Sequence, residues 1–231
     1  MLQIEKLNQY YGESHTLWDI DLDIPGGSCT CLLGRNGVGK TTILKCIMGL
    51  LPIQNGSILF EGNNLNSLPA EKRAPLGIGY VPQGRQIFPL LTVEENLQTG
   101  LAAKKSGKQG IPDLVFELFP VLKEMLKRKG GDLSGGQQQQ LAIGRALVIE
   151  PKLLILDEPT EGIQPNIVQE IGDIIKRLIS EMGLTVLLVE QKLHFVKKTA
   201  EKFFILDRGR IVARGTMEEL GDVLVHEYLT V

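Results

Sequence analysis

Ser28-Cys29-Thr30-Cys31-Leu32-Leu33-Gly34-Arg35-Asn36-Gly37-Val38-Gly39-Lys40-Thr41-Thr42 runs from an apolar, β-type segment through a glycine-spaced loop. It leads into Ile43, Leu44, Ile47, Met48, Leu50 and Leu51, which recur at helical spacing until Pro52. Gly34 to Thr41 fits G-x-x-x-x-G-K-[ST] in full, between a predicted strand and a predicted helix, the context in which that motif carries meaning. Its glycines let consecutive backbone N–H groups curl around an anion, and the helix behind adds its positive N-terminal end. Lys40 supplies a point charge for β and γ phosphates, and the Thr41 hydroxyl can ligate Mg²⁺. A glycine-rich turn with a surface lysine is the plainer alternative, and the complete motif with both flanks argues against it.

Outward from this loop, Lys152-Leu153-Leu154-Ile155-Leu156-Asp157-Glu158 is an apolar strand ending in two carboxylates. In a parallel sheet that end is where ligands bind. Asp157 suits a Mg²⁺ role near Thr41, and Glu158 suits polarising an attacking water. Strand signals recur at Leu2 to Leu7, Leu17 to Ile24, Ser57 to Gly62, Gly77 to Val81, Thr185 to Val189, Lys202 to Leu206 and Arg210 to Ala213. Helices are expected from Thr92, an N-cap with Glu95 three residues on, to Leu101, and from Asp113 to Leu126 with an interruption at Pro120. Further helices are expected over Ser134 to Val148, Val168 to Met182 and Phe195 to Ala200, with a basic loop from Lys104 to Gly110. Strands separated by helix-length segments predict a largely parallel sheet covered on both faces.

Composition narrows the rest. With 25 basic and 27 acidic side chains the chain lacks the global positive field of a phosphate-backbone binder, so no nucleic-acid partner is expected. Lys127-Arg128-Lys129 reads as a solvated face. Aromatics at 5% disfavour a base- or sugar-stacking platform. No apolar run reaches bilayer-spanning length. Cys29, Cys31 and Cys46 form no metal set with histidines, so buried reduced thiols are expected.

Leu133-Ser134-Gly135-Gly136-Gln137, together with the phosphate loop and the Asp157-Glu158 strand, resembles the signature motif of ABC transporter ATP-binding subunits, and the resemblance spans essentially all 231 residues. It implies an α/β fold of the P-loop NTPase type. A RecA-like, mostly parallel sheet core would carry an N-terminal antiparallel β subdomain and an inserted α-helical subdomain. The whole chain, 1–231, would be a single ABC ATPase domain, with the core over 1–83 and 149–231 and the helical subdomain over about 84–148. The implied activity is ATP hydrolysis with Mg²⁺. ATP would be held by Gly34, Arg35, Asn36, Gly37, Val38, Gly39, Lys40, Thr41 and Thr42. Tyr11 would stack on adenine; the alternative is an ordinary half-buried strand tyrosine. Ser134, Gly135, Gly136 and Gln137 would close over the γ phosphate held by a second subunit. Thr41, Gln83 and Asp157 would serve the metal; Glu158, Gln83 and Gln191 would serve the reaction.

Two positions depart from the commonest family pattern: Gln164 stands where an aspartate usually crosses the dimer interface, and Gln191 where a histidine usually contacts the γ phosphate. Glutamine can donate to phosphate but cannot become an imidazolium. His194 reads as a helix-surface residue and not a substitute. Thr160-Glu161-Gly162-Ile163-Gln164-Pro165 with Val189-Glu190-Gln191 is similar to the subfamily that energises uptake of branched-chain amino acids, short amides and urea. Asn8-Gln9-Tyr10-Tyr11-Gly12, the loop Gly34-Arg35-Asn36-Gly37-Val38-Gly39 and Gly84-Arg85-Gln86-Ile87-Phe88-Pro89 look closest to its urea-transport branch. The implied partners are a second homologous ATP-binding subunit, two membrane permease subunits and, indirectly, a periplasmic solute-binding protein. The working dimer would be heteromeric, with a homodimer open to the isolated chain. The implied location is the cytoplasmic face of a bacterial inner (plasma) membrane. At least one of Ile87, Phe88, Leu90 and Leu91 should be exposed, since so short a segment turning at Gly84 and Pro89 cannot face them all inward.

Overall fold

The structure, a computed structural model, describes residues 1–104 and 110–229. Most of the basic loop expected from Lys104 to Gly110 therefore lies outside the described residues.

The chain begins with β1 (Leu2–Tyr11) and β2 (Ser14–Ile24), a hairpin in which alternate residues are buried. β3 (Cys29–Leu33) then leads through the glycine loop into α1 (Lys40–Ile47). β4 (Asn55–Phe60), the two-residue β5 (Asn63–Asn64) and β6 (Ile78–Val81) follow. Helices come next: α2 (Val93–Leu101), α3 (Asp113–Leu118), α4 (Pro120–Glu124) and α5 (Gly135–Leu147). Strand and helix then alternate through β7 (Leu153–Asp157), α6 (Pro165–Met182), β8 (Thr185–Val189) and α7 (Leu193–Thr199). β9 (Lys202–Asp207), β10 (Arg210–Thr216) and α8 (Asp222–Tyr228) complete the chain.

Two sheets result. β10-β9-β3-β8-β7-β6 is parallel from β9 to β6, with β10 antiparallel at one edge; β2-β1-β4-β5 is antiparallel. The period of two along each central strand sorts its side chains between two cores. Leu154 and Leu156 join Cys29, Cys31 and Leu33 on the face covered by α2 to α7. Leu153 and Ile155 join Leu32 on the face covered by α1 and the antiparallel sheet. All three cysteines are buried and unpaired, as expected. Burial raises the Cys29 and Cys31 thiols well above the ordinary range and pushes Cys46 up to about 12, so none is reactive.

Local chemistry accounts for the element ends. Thr92 and Glu95 form a reciprocal capping box on α2. Pro120 separates α3 from α4. α6 starts three residues before the expected Val168 because Pro165 occupies the first helical position, where its missing N–H is not needed. β5 and α8 were not anticipated. Neither was Arg73, which is buried and donates to the carbonyls of Cys46 and Ile47 at the end of α1 and to those of Leu65 and Leu68. A guanidinium at the negative end of α1 satisfies carbonyls that would otherwise be orphaned in the core.

Candidate active site

The loop between β3 and α1 needs its glycines. Gly34 has φ +147 and Gly39 φ +112, and a Cβ at Gly39 would lie 2.7 Å from Leu17 Cδ2. One at Gly34 would collide with the Leu206 carbonyl. The Lys40 side chain folds back across the loop, its Nζ donating to Gly34 O at 2.7 Å and Arg35 O at 2.8 Å. Burial lowers the Lys40 pKa, opposed by the neighbouring carboxylates Glu158 and Asp157. Gly37 also takes positive φ, and Val38 O accepts from Gly209 N–H, pinning the loop to the turn before β10. Tyr11 is exposed at the end of β1, with its hydroxyl 3.5 Å from Thr42 Oγ1.

Asp157 ends β7 beside this loop. Its Oδ2 accepts from Thr41 Oγ1 at 3.0 Å, while Oδ1 is buried with no hydrogen-bond partner. Burial raises its pKa to about 6, with the Glu158 charge adding and the Thr41 bond and Lys40 opposing. An orphaned carboxylate oxygen next to the Thr41 hydroxyl supplies hard-oxygen donors, which fit Mg²⁺ completed by phosphate or water. Among the described residues no group of three or more His, Cys, Asp or Glu could hold a metal. A cation here would therefore depend on these oxygens.

Glu158 sits at φ +49, a backbone conformation unusual for a residue with a side chain, and its N–H donates to Val189 O on β8. That turn presents both carboxylate oxygens to neutral donors. Oε1 accepts from Gln191 Nε2 at 2.6 Å and Oε2 from Gln83 Nε2 at 3.0 Å. Gln191 also donates to Asn36 Oδ1 at 2.7 Å, and Gln83 to Glu161 Oε2 at 3.1 Å. Lys40 Nζ lies 3.9 Å from Glu158 Oε1. Tyr11, the phosphate loop, Gln83, Asp157, Glu158 and Gln191 thus converge. His194 lies exposed on α7.

Ser134, Gly135, Gly136 and Gln137 do not join them. They open α5, where Ser134 and Gln137 form a capping box, and line a separate cavity of about 550 Å³ with Gln164, Ile167 and Glu170. No phosphate-loop residue lines that cavity. Gly135 lets α5 pass against the Arg85 guanidinium, 3.2 Å from where a Cβ would sit. Arg85 in turn donates to Gln138 Oε1 at 3.2 Å and Glu161 O at 3.4 Å, tying this helix to the loop after Glu158.

Sequence reasoning missed Glu161, Arg85 and the role of Glu190. Glu190 is buried and accepts from the Thr160 hydroxyl and from the N–H groups of Thr160, Gln191 and Lys192. It fixes the loops carrying Glu158 and Gln191 to each other. A carboxylate ending the apolar β8 run was the available signal, parallel to that of Asp157 on β7.

The sequence profile of the ABC transporter family matches residues 17–161. A high-affinity branched-chain amino acid transport ATP-binding protein, BraG of Pseudomonas aeruginosa, is 44% identical over 94% of this chain and 93% of its own. A probable branched-chain amino acid transport ATP-binding protein, LivF of Archaeoglobus fulgidus, is 41% identical over 98% of this chain and 95% of its own. Among solved structures, the dimeric post-hydrolysis state of an ATP-binding cassette bound to ADP and Pi has a TM-score of 0.85 at 25% identity, covering 94% of this chain and 99% of that one. Relatives in both a bacterium and an archaeon mean that the likeness does not confine the chain to bacteria, as the motifs alone implied. No helix among the described residues is long and apolar enough to cross a membrane. With a RecA-like sheet, this profile match and these near full-length relatives, the chain belongs to the ABC transporter family as one of its ATP-hydrolysing, ATP-binding subunits.

Proposed function

We propose that this chain powers import of branched-chain amino acids, one of two related ATP-binding subunits working on two membrane permease subunits fed by a solute-binding protein. The observation that carries the solute is the 44% identity to BraG over nearly the full length of both chains. It favours amino acids over the urea suggested by short motifs. This subunit does not touch the solute, so its motifs report kinship and not solute chemistry. Uptake of radiolabelled leucine and urea, in cells whose copy carries Lys40→Ala, tests it. Leucine uptake should fall and urea uptake persist; the reverse would restore the urea reading.

The mechanism follows from the side chains. Tyr11 stacks on adenine, and Lys40 with the loop N–H groups holds the β and γ phosphates. Thr41, Asp157 and Gln83 would hold Mg²⁺, which would supply positive charge to the phosphate oxygens. An arriving γ phosphate competes for Lys40 Nζ and Gln191 Nε2, which now engage the loop carbonyls and Glu158 Oε1. Transfer of the Gln191 donor to phosphate frees Glu158 to accept from the attacking water. Ser134 to Gln137 act on ATP held by the partner subunit, which accounts for their separation from the phosphate loop in this chain.

Gln191→Ala should slow hydrolysis by less than tenfold, about one hydrogen bond's worth. Gln191→His should keep most activity, because an imidazole N–H reaches a similar place. A parental pH–rate profile with an essential group near pKa ~6.5 that vanishes in Gln191→Ala would contradict this, since an amide has nothing to titrate.

The segment 84–148 is assigned as a helical subdomain, and its groove against the core as the membrane-subunit dock. Phe88 is 48% and Leu90 80% exposed, beside a groove of about 790 Å³ lined by Leu50, Tyr80, Ile87, Phe88 and Arg145. The Arg145 guanidinium lies over the Phe88 ring at 5.2 Å and donates to Gln86 O, in a segment where Arg85 and Gln86 both hold positive φ. Exposed apolar rings rimmed by a cation suit a protein contact. Phe88→Ala should weaken recovery of the assembled transporter in a pull-down with nucleotide affinity unchanged. Loss of both together would make Phe88 a fold residue.

A further inference from the structure

α6 and α7 enclose a second cavity of about 340 Å³, and no phosphate-loop or signature residue lines it. Its floor is apolar, built from Ile163, Val168, Gly172 and Phe195. Gly172 lets the two helices approach closely: a Cβ there would lie 3.2 Å from Phe195 Cε2. Thr199 lines the same cavity, is 6% exposed, and its hydroxyl has no hydrogen-bond partner.

The rim is net positive in charge. Lys176, Lys192 and Lys198 surround the opening, and none forms an ion pair among the described residues. Asp173, the acidic lining residue, is engaged by Gln169 Nε2 at 3.2 Å and 3.3 Å. An apolar pocket of ligand size with three lysines against one carboxylate in its lining favours an occupant with an apolar body and a negative head. We propose that this cavity binds a small organic anion of that kind and that its occupancy slows ATP turnover.

The link to turnover is structural. Lys192 follows Gln191 directly, and its Nζ donates to Thr160 O at 2.7 Å, bracing the loop that carries Glu158. Ile163, which also lines the cavity, belongs to the same loop. An anion that draws Lys192 toward the cavity removes that brace from both loops at once.

Anilinonaphthalene sulfonate is a suitable probe, with phenylnaphthylamine as its uncharged counterpart, both titrated by fluorescence against the full chain. The sulfonate should bind at least tenfold more tightly than the uncharged compound. Reversing the rim with Lys176→Glu and Lys198→Glu, both exposed positions, should weaken it at least tenfold and leave ATP affinity at the parental value. Val168→Trp, which fills the cavity, should abolish binding. Saturating probe should lower parental turnover by about fivefold, within the usual range of coupling between sites, and leave the rim-reversed protein unaffected at the same concentration. Equal binding of the charged and uncharged probes, or parental binding by the rim-reversed protein, overturns the site. Binding that obeys the rim charges with unchanged turnover overturns the regulatory half alone.

Discussion

Glu158→Gln should bind ATP and Mg²⁺ like the parent and hydrolyse about 10²-fold more slowly or worse, the scale of a lost general base. The substitution keeps size and hydrogen-bonding atoms but removes the charge. In the parent, both carboxylate oxygens are held by amide donors, from Gln191 at 2.6 Å and Gln83 at 3.0 Å, and neither donor takes the proton. Glu158 is therefore held in one orientation while it waits for water. A glutamine there accepts through a single oxygen and cannot draw a proton from water, so the ATP-bound state should accumulate. Phosphate release measured beside equilibrium ATP binding checks this. Single-turnover hydrolysis near the parental rate would show that the water is activated elsewhere.

Lys40→Ala should cost about 10²-fold in ATP affinity. A charge-assisted hydrogen bond contributes roughly 1.5–3 kcal/mol, and no other cation in the loop can replace it. The ammonium also cross-braces the loop through Gly34 O and Arg35 O, so its removal loosens the nest as well as discharging it. Titration with a fluorescent ATP analogue reports the affinity, and circular dichroism separates lost binding from lost folding. Parental affinity in the alanine protein would contradict the charge argument.

The parts of this molecule legible in the sequence are those whose cause is local. The phosphate loop is a contiguous pattern of backbone demands, and the apolar strands sort by a period of two into the two cores that Leu153/Ile155 and Leu154/Leu156 now mark. Thr92 with Glu95 announced its helix three residues in advance. Interactions that cross long stretches of chain left no such trace. Arg73 reads as one more surface arginine until α1 places two carbonyls against it. Glu161 and Glu190 differ from ordinary strand-end carboxylates only because Gln83 and Thr160 arrive beside them. Arg85 was visible only as a charge beside apolar residues, not as the tie between the signature helix and the Glu158 loop. α8 is short, and its apolar residues gain meaning only by packing on a core built from the other end of the chain. Motif wording pointed to urea and whole-chain identity to branched-chain amino acids, because a few loop residues carry less kinship than 217 aligned positions.

The phosphate loop of one subunit is expected to work against Ser134 of another. The three native thiols are buried, so introduced cysteines would be the accessible ones. Asn36→Cys in one copy and Ser134→Cys in another, both carrying Glu158→Gln, should form an interchain disulfide under mild oxidant with ATP present and not with ADP or without nucleotide. A dimer band on a non-reducing gel that depends on ATP is the predicted result. Cross-linking at the same rate without nucleotide, or none with ATP bound, would contradict the shared site.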